Sequence, residues 1–248
     1  SNYNITYASG NLIVAKKELK VSAVTDAKFV TTADNVGYAG VLYSGFVNGD
    51  TAASLSSQAT VSADRAAANL AYIPPVGASS VGALPSATTE PAGTYVDALV
   101  ASGAASNNYS FTYTKGNLIV VPAEGLIVRA GNQSITYGDA PSYAAVTAQY
   151  LLGGVVTPIA LTSVPVSNAI SITDGASAVV TGNINPANPA FSSSNNLKVG
   201  NYNLTLENFY TQSQNFNSMT VVGGLTVEPK QVSMSSLGIS APSKIYDG

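Results

Sequence analysis

The sequence repeats one phrase of thirteen residues three times. NYNITYASGNLIV at residues 2–14 returns as NYSFTYTKGNLIV at 108–120, with nine of thirteen positions identical, and as the looser NFNSMTVVGGLTV at 215–227. The copies begin 106 and then 107 residues apart. Even self-similarity of this kind is typical of tandem repeats, in which each repeat is one structural unit. We therefore expect an array of units and not one large domain.

The phrase itself predicts a β-hairpin. Tyr109, Phe111 and Tyr113 alternate with polar residues, which is the period-two pattern of a half-buried strand. Gly116-Asn117 follows as a turn signal, and the apolar run Leu-Ile-Val comes next. A strand, a glycine turn and a second strand would close each unit with a hairpin.

The spacing of the copies predicts where the units lie. We expect a closing hairpin of a preceding repeat at 1–14, whole units at 15–120 and 121–227, and the start of a further repeat at 228–248. The strand patterns predict an all-β fold of tandem, elongated, β-sandwich-like modules of about 107 residues. A β-grasp-like module fits the same pattern and stays open as an alternative.

The composition excludes several functional classes. Charged residues make up 9% of the chain, against about 25% in a typical soluble domain, and the net charge of −3 offers no basic surface for nucleic acid. No apolar run approaches the roughly 20 residues that span a bilayer, so we expect no membrane insertion in this segment. The chain has no cysteine and no histidine, which removes thiol chemistry and the commonest general base. We predict a protein that is not an enzyme, with no catalytic residues, no cofactor and no metal.

The middles of the two units differ from each other. Residues 57–91 are rich in Ala, Ser, Gly and Pro, and the stretch 62–70 within them could form two helical turns. Residues 162–198 hold short alternating runs between turn signals, which we interpret as hairpins and surface loops. Since loops tolerate change and carry function, we expect any specific contact to come from these two segments.

Two sets of residues are candidates for binding sites. Tyr95 and Tyr202 recur at equivalent positions and could form a sugar-binding platform, but a repeated strand position favours cross-strand packing. Calcium would need several oxygens converging from one loop, and no aspartate motif of that spacing occurs. We therefore interpret the following acids as turn residues: Asp26, Asp34, Asp50, Asp64 and Asp139.

Several motifs carry a resemblance to a known family. The repeated phrase with its linker, GFVNGDT at 45–51 and ITYGD at 135–139 resemble the MBG repeats of very large bacterial surface and secreted adhesins. KIYDG at 244–248 resembles the start of the companion YDG-type repeat. The first unit departs from the pattern, because it has KFVTT at 28–32 where a tyrosine and a glycine would be expected.

The resemblance implies a structural function. Repeats of this kind are thought to form stalks, so it implies a spacer segment of a giant bacterial cell-surface adhesin that projects an adhesive tip or builds biofilm matrix. Two alternatives stay open: a self-associating extracellular fibre, and a carbohydrate-binding module in an array. The implied partners are adjacent repeats of the same chain, other copies laterally and surface glycans. The implied location is the bacterial cell surface or the medium, and the resemblance implies no catalytic residues.

Overall fold

The first unit is built from strands in two sheets. A computed structural model describes residues 6–65, 72–73, 88–143, 145–162 and 168–232. In the first sheet, β1 (Lys17–Ala23) lies between β3 (Val41–Ser44) and β7 (Tyr109–Thr114). The second sheet contains β2 (Asp26–Phe29), β8 (Gly116–Val121), β6 (Gly93–Ser102) and β4 (Thr60–Ala63) in that order, and the short β5 (Tyr72–Ile73) also pairs with β6. Among the described residues, a short 3-10 helix spans Ala52–Ser54.

The second unit repeats this plan and extends it. One sheet has the order β12 (Val155–Ile159), β11 (Val146–Leu152), β9 (Gly125–Ala130) and β16 (Ser218–Val222). The other has the order β10 (Gln133–Thr136), β17 (Gly224–Glu228), β15 (Gly200–Thr211), β14 (Val179–Pro186) and β13 (Ala169–Thr173). Compared with the first unit, β12 and β13 are additional edge strands. The prediction of an all-β, sandwich-like fold is confirmed.

The equivalence of the units extends to single hydrogen bonds. The Val30 amide donates to the Val121 carbonyl at 2.9 Å, and 107 residues later the Tyr137 amide donates to the Glu228 carbonyl at 2.8 Å. Each bond joins the end of an early strand to the end of the last strand of the same unit. The spacing of the sequence repeat is therefore also the spacing of the structural repeat.

The predicted closing hairpin is wrong in both units. β7 and β8 follow each other along the chain but lie in different sheets, and β16 and β17 do the same. The repeated phrase is one bent strand that passes from the first sheet to the second. Residues 6–14, which belong to the first copy of the phrase, form no strand and are exposed.

The first strand of each unit bends beside the last one. β1 pairs in parallel with β7, and after a break at 24–25 β2 pairs in parallel with β8. In the second unit β9 pairs with β16 and β10 with β17 in the same way. Each unit therefore holds its first and last strands together through two successive parallel ladders.

The repeated glycine is required where these two bent strands approach each other. A Cβ atom on Gly116 would lie 2.6 Å from the Ala23 carbonyl oxygen. Its equivalent, Gly223, would meet the carbonyl oxygen of Ala130 and also has a φ of +148°. The glycines that predicted a turn thus serve a close backbone approach, which only a residue without a side chain permits.

The core confirms the strand patterns and corrects one interpretation. The inward positions Leu19, Val21 and Ala23 of β1 are buried, as predicted. The segment 162–198, however, is not a surface insertion, because β13 and β14 bring four fully buried side chains into the core of the second unit: Ile170, Ile172, Val180 and Ile184. Their alternation was visible in the sequence, but it indicates a core hairpin.

The other divergent middle, residues 57–91, is described in part. Ser62 and Ala63, where a helix was one possibility, belong to strand β4. The rest of that possible helix from residue 66 onward lies outside the described residues, as does the KIYDG stretch at 244–248.

We predict that Gly223→Ala and Gly116→Ala each destabilise the protein by about 2–3 kcal/mol, the cost of forcing a methyl group into a packed backbone contact. Chemical denaturation of the two variants measures this cost. Gly175→Ala is the matched control, because a Cβ atom there would have nothing within 4 Å and its φ is negative. Equal stability of all three variants would contradict the proposed crossing.

Candidate functional site: the contact between the two units

A hydrophobic cluster joins the two units. Ala27, Phe29 and Val121 of the first unit pack with Ile127 and Val222 of the second, and each of the five side chains is at most 2% exposed. Burying one side chain of this kind contributes on the order of 1.5–3 kcal/mol. The contact is therefore packed like a core, although the chain segment that connects β8 to β9 is only three residues long.

A buried ion pair lies beside this cluster. The guanidinium of Arg129, from the second unit, donates to the carboxylate of Asp26 and to the Ala27 carbonyl of the first unit. Asp26 is fully buried, and its carboxylate also accepts from Asn35 Nδ2 at 3.0 Å and from the Ala27 amide at 2.7 Å. The charge of Asp26 is thus balanced by a residue from the other unit.

Three asparagines of the second unit complete the contact with amide hydrogen bonds. Asn203 Oδ1 accepts from the Thr25 amide at 2.9 Å, and Asn132 Nδ2 donates to the Ala39 carbonyl at 2.7 Å. Asn201 Nδ2 donates to the Ser22 hydroxyl at 3.1 Å and to a main-chain carbonyl at 3.3 Å. Because several of these bonds reach the main chain, they fix the position of one unit on the other.

The two tyrosines considered for a sugar platform are packing residues. Tyr95 is 1% exposed, and its hydroxyl donates to the Pro91 carbonyl at 2.8 Å. The hydroxyl of Tyr202 donates to the Lys198 carbonyl at 2.7 Å, which is the same bond in the second unit. The interpretation as repeated packing residues accounts for both, because Tyr95 is buried and Tyr202 packs partly buried against the core of the second unit.

The five candidate acids do not meet at one place. Asp50 and Asp139 lie in turns, as interpreted, and the Asp50 carboxylate accepts from the Tyr109 hydroxyl at 2.7 Å. Asp64 follows β4, and its amide donates to Ala98. Asp26 and Asp34 are not simple turn residues, because both are members of ion pairs. Within the described part of the chain, no group of three acids is arranged to hold a metal ion.

An ion-pair cluster lies inside the first unit. Lys28 Nζ is 3.0 Å from Asp34 Oδ1 and also pairs with Glu90, and the side chains of Lys28 and Glu90 are 2% and 1% exposed. Arg65 Nη2 donates to both oxygens of Asp34, at 2.7 and 2.6 Å, and its Nε pairs with Glu90. Two cations therefore balance two carboxylates, which makes burial of the cluster possible.

The cluster sets the protonation of its members. Burial alone would raise the pKa of Asp34, but hydrogen bonds from Arg65, Lys28 and Tyr38 outweigh it and hold that pKa below its ordinary value. Burial, together with the hydrogen bond to Asp34, raises the pKa of Tyr38 to about 12. Lys28 stands at the departure from the family pattern noted at 28–32, so the first unit has a salt-bridge cluster in the region of that departure.

Sequence reasoning missed Arg129 and the asparagines of the contact, and it interpreted Asp26 as a turn residue. One signal was available: Arg129 occupies a strand position whose equivalent in the first unit is Ser22, 107 residues earlier. A charge that appears in one copy of a strand pattern and not in the other indicates a contact specific to that copy.

The two units share one topology, pair their first and last strands in parallel and pack against each other. These features define a tandem all-β repeat protein. The MBG domain (YGX type) family model matches residues 19–119, so the first unit is an MBG-type repeat, as the resemblance implied. No curated protein and no solved structure matches the chain. Within the described residues, none of the helical structure has the length and apolar character needed to cross a membrane.

We predict that Arg129→Met lowers the free energy of unfolding by about 3 kcal/mol, because the buried Asp26 carboxylate loses its partner. Chemical denaturation is the measurement. Lys20→Met is the matched control, since Lys20 is exposed on β1 and its replacement should change stability by less than about 0.5 kcal/mol. A loss in the Arg129 variant as small as in the control would show that the ion pair does not stabilise the contact.

A second prediction concerns acid. The folded-state pKa of Asp34 is below its unfolded value of about 3.9, so its stabilisation is complete above that value and is lost as pH falls through the lowered folded value. Unfolding free energy measured between about pH 6 and 2 should therefore fall more steeply for the wild type than for Asp34→Asn. Asp139→Asn, which alters an exposed turn carboxylate, should keep the wild-type slope. Parallel curves for the wild type and Asp34→Asn would contradict the role of the cluster.

Proposed function

We propose that this chain is a spacer segment of the stalk of a large bacterial cell-surface adhesin, and that it transmits tension along the chain. Its place is outside the cell, its immediate partners are the adjacent repeats, and the segment performs no catalysis. The matched MBG domain supports a repeat-type role. The observation that carries the proposal is the parallel pairing of the first and last strands of each unit.

Parallel pairing determines how tension acts on a unit. The chain enters the first unit at the start of β1 and leaves it at the end of β8. Six residue pairs join β1 to β7 and four join β2 to β8, all in parallel register. In a parallel pair the entry and exit points are at opposite ends, so tension slides the strands along each other. The hydrogen bonds of both ladders then resist together, and the first does not open alone.

The contact between the units supports the same function. Tension that reaches the end of β8 passes into β9 after three residues, and the Asp26–Arg129 pair and the hydrophobic cluster lie beside this junction. The junction is therefore held by side chains from both units as well as by the peptide chain. A spacer gains reach when its junctions resist folding back.

We predict that the first unit resists tension along its natural direction several-fold better than tension that peels the same strands. The absence of cysteine allows two thiol handles to be placed uniquely in the full chain. In the Lys17→Cys/Ala123→Cys variant, the force pulls β1 and the β7–β8 segment in opposite directions along their length, so the strands are loaded in shear. Lys17→Cys with Asn107→Cys pulls the same β1–β7 pair from one end, because Lys17 is opposite Tyr109 in the ladder.

Single-molecule force spectroscopy measures the unfolding force of the two double variants at one loading rate. All three handle positions are exposed, so both variants should retain the wild-type melting temperature. A clearly higher force for the Lys17/Ala123 pair supports the proposal. Equal forces in the two directions would remove the mechanical argument for a stalk.

The remaining alternatives stay predictions. The described structure contains a single copy of the chain, so it does not test lateral association into a fibre. Binding of surface glycans is the other alternative, and a cleft between the units bears on it.

A further inference from the structure

A cleft lies between the two units, and the Asp26–Arg129 pair is not among the residues that line it. Its volume is about 620 Å³, within the range of pockets that hold small ligands. One wall is the stretch 41–52 of the first unit, which contains the GFVNGDT motif. The other wall is formed by residues at the start of β10 and at the end of β17 in the second unit. The cleft therefore exists only when the two units are in contact.

The charge of the walls excludes anionic ligands. Among the described residues, those that line the cleft include two carboxylates, Asp50 and Glu228, and no lysine or arginine. A phosphate, a sulfated sugar or a uronic acid would be repelled and would find no cationic partner. A ligand of this cleft is neutral or cationic.

Glu228 is the group that lacks a partner. Its side chain is partly buried at the end of β17, burial raises the pKa of its carboxyl group, and no hydrogen bond or ion pair of that carboxylate is found among the described residues. Asp50 differs, because its carboxylate already accepts from the Tyr109 hydroxyl at 2.7 Å. The carboxylate is partly buried and its oxygens are not taken by donors of the described residues, so it can accept hydrogen bonds from the hydroxyl groups of a ligand.

The other lining side chains suit the same chemistry. The amides of Asn48, Gln133 and Gln231 and the hydroxyl of Ser134 offer both donors and acceptors. Phe46 supplies an apolar surface in the cleft, and its ring is held by Tyr109 at 5.5 Å and Tyr43 at 5.7 Å between centroids. A fixed aromatic ring beside several amides and an acceptor matches the alternating C–H and O–H surfaces of a sugar.

We propose that this cleft binds a segment of a neutral polysaccharide, with sugar hydroxyls donating to Glu228 and sugar C–H groups resting on Phe46. Neutral sugars fit better than a cationic peptide because amides and hydroxyls outnumber the carboxylates, one of which is already satisfied. The site does not depend on the stalk function: a spacer without a ligand and a glycan-binding pair of units are separable outcomes.

The test titrates the full chain with three probes by isothermal titration calorimetry. The probes are neutral oligosaccharides prepared from glucan, galactan and mannan, heparin fragments, and a lysine-rich peptide. We expect millimolar or tighter binding of a neutral oligosaccharide and none of heparin. Glu228→Ala should weaken that binding by about ten-fold or more, the effect of removing a hydrogen bond to a charged acceptor, and Gln231→Ala should weaken it less.

Glu124→Ala is the matched control, since Glu124 is an exposed acid outside the cleft, and it should bind as the wild type does. Melting temperatures of all variants identify any loss of binding that comes from unfolding. Three results would overturn the proposal: no binding of any neutral oligosaccharide, binding unchanged in a folded Glu228→Ala variant, or binding of the lysine-rich peptide alone. The force measurement on the thiol variants is unaffected by these results, so the two proposals fail independently.

Discussion

The close crossing of two bent strands is the constraint on which the rest of the structure depends. In each unit the first strand and the last strand bend together from one sheet into the other, and their backbones approach at Gly116 beside Ala23 and at Gly223 beside Ala130. Because the crossing leaves no room for a side chain, glycine is required there. The crossing in turn makes the two parallel ladders possible. Because the ladders are parallel, the chain enters a unit at one end of the paired strands and leaves it at the other end.

Several of the few charges of the chain lie where the fold needs a fixed geometry. Three of the ten basic residues and three of the thirteen acidic residues belong to the ion-pair cluster of the first unit and to the Asp26–Arg129 pair. Buried ion pairs add little stability compared with apolar packing, but breaking one is costly. Their effect is therefore to disfavour other arrangements of the loop around Asp34 and of one unit against the other.

The sequence predicted the parts of the fold that follow from local pattern. Alternating apolar residues located β1, β9 and the repeated strand, because a strand with one buried face alternates in sequence whatever its partners are. The closing hairpin was predicted wrongly because a glycine at position 116 is compatible with a turn and also with a close backbone approach. Only the position of the neighbouring strand β2 decides between the two. Arg129 and Glu228 were missed for a different reason: residues of the other unit contribute to their surroundings, and only a comparison of the two copies singles out Arg129.

The apolar residues of the contact between the units are not repeated at the equivalent positions of the other unit. The positions equivalent to Ile127 and Val222 in the first unit are Lys20 and Lys115, both exposed. In the second unit, Phe29 and Val121 are replaced in turn by polar residues, Thr136 and Glu228. The hydrophobic cluster that joins the units therefore occurs once in the described part of the chain. If this chain bends, the apolar cluster and the Asp26–Arg129 pair resist bending between the two units, so these two repeats move together as one stiff segment.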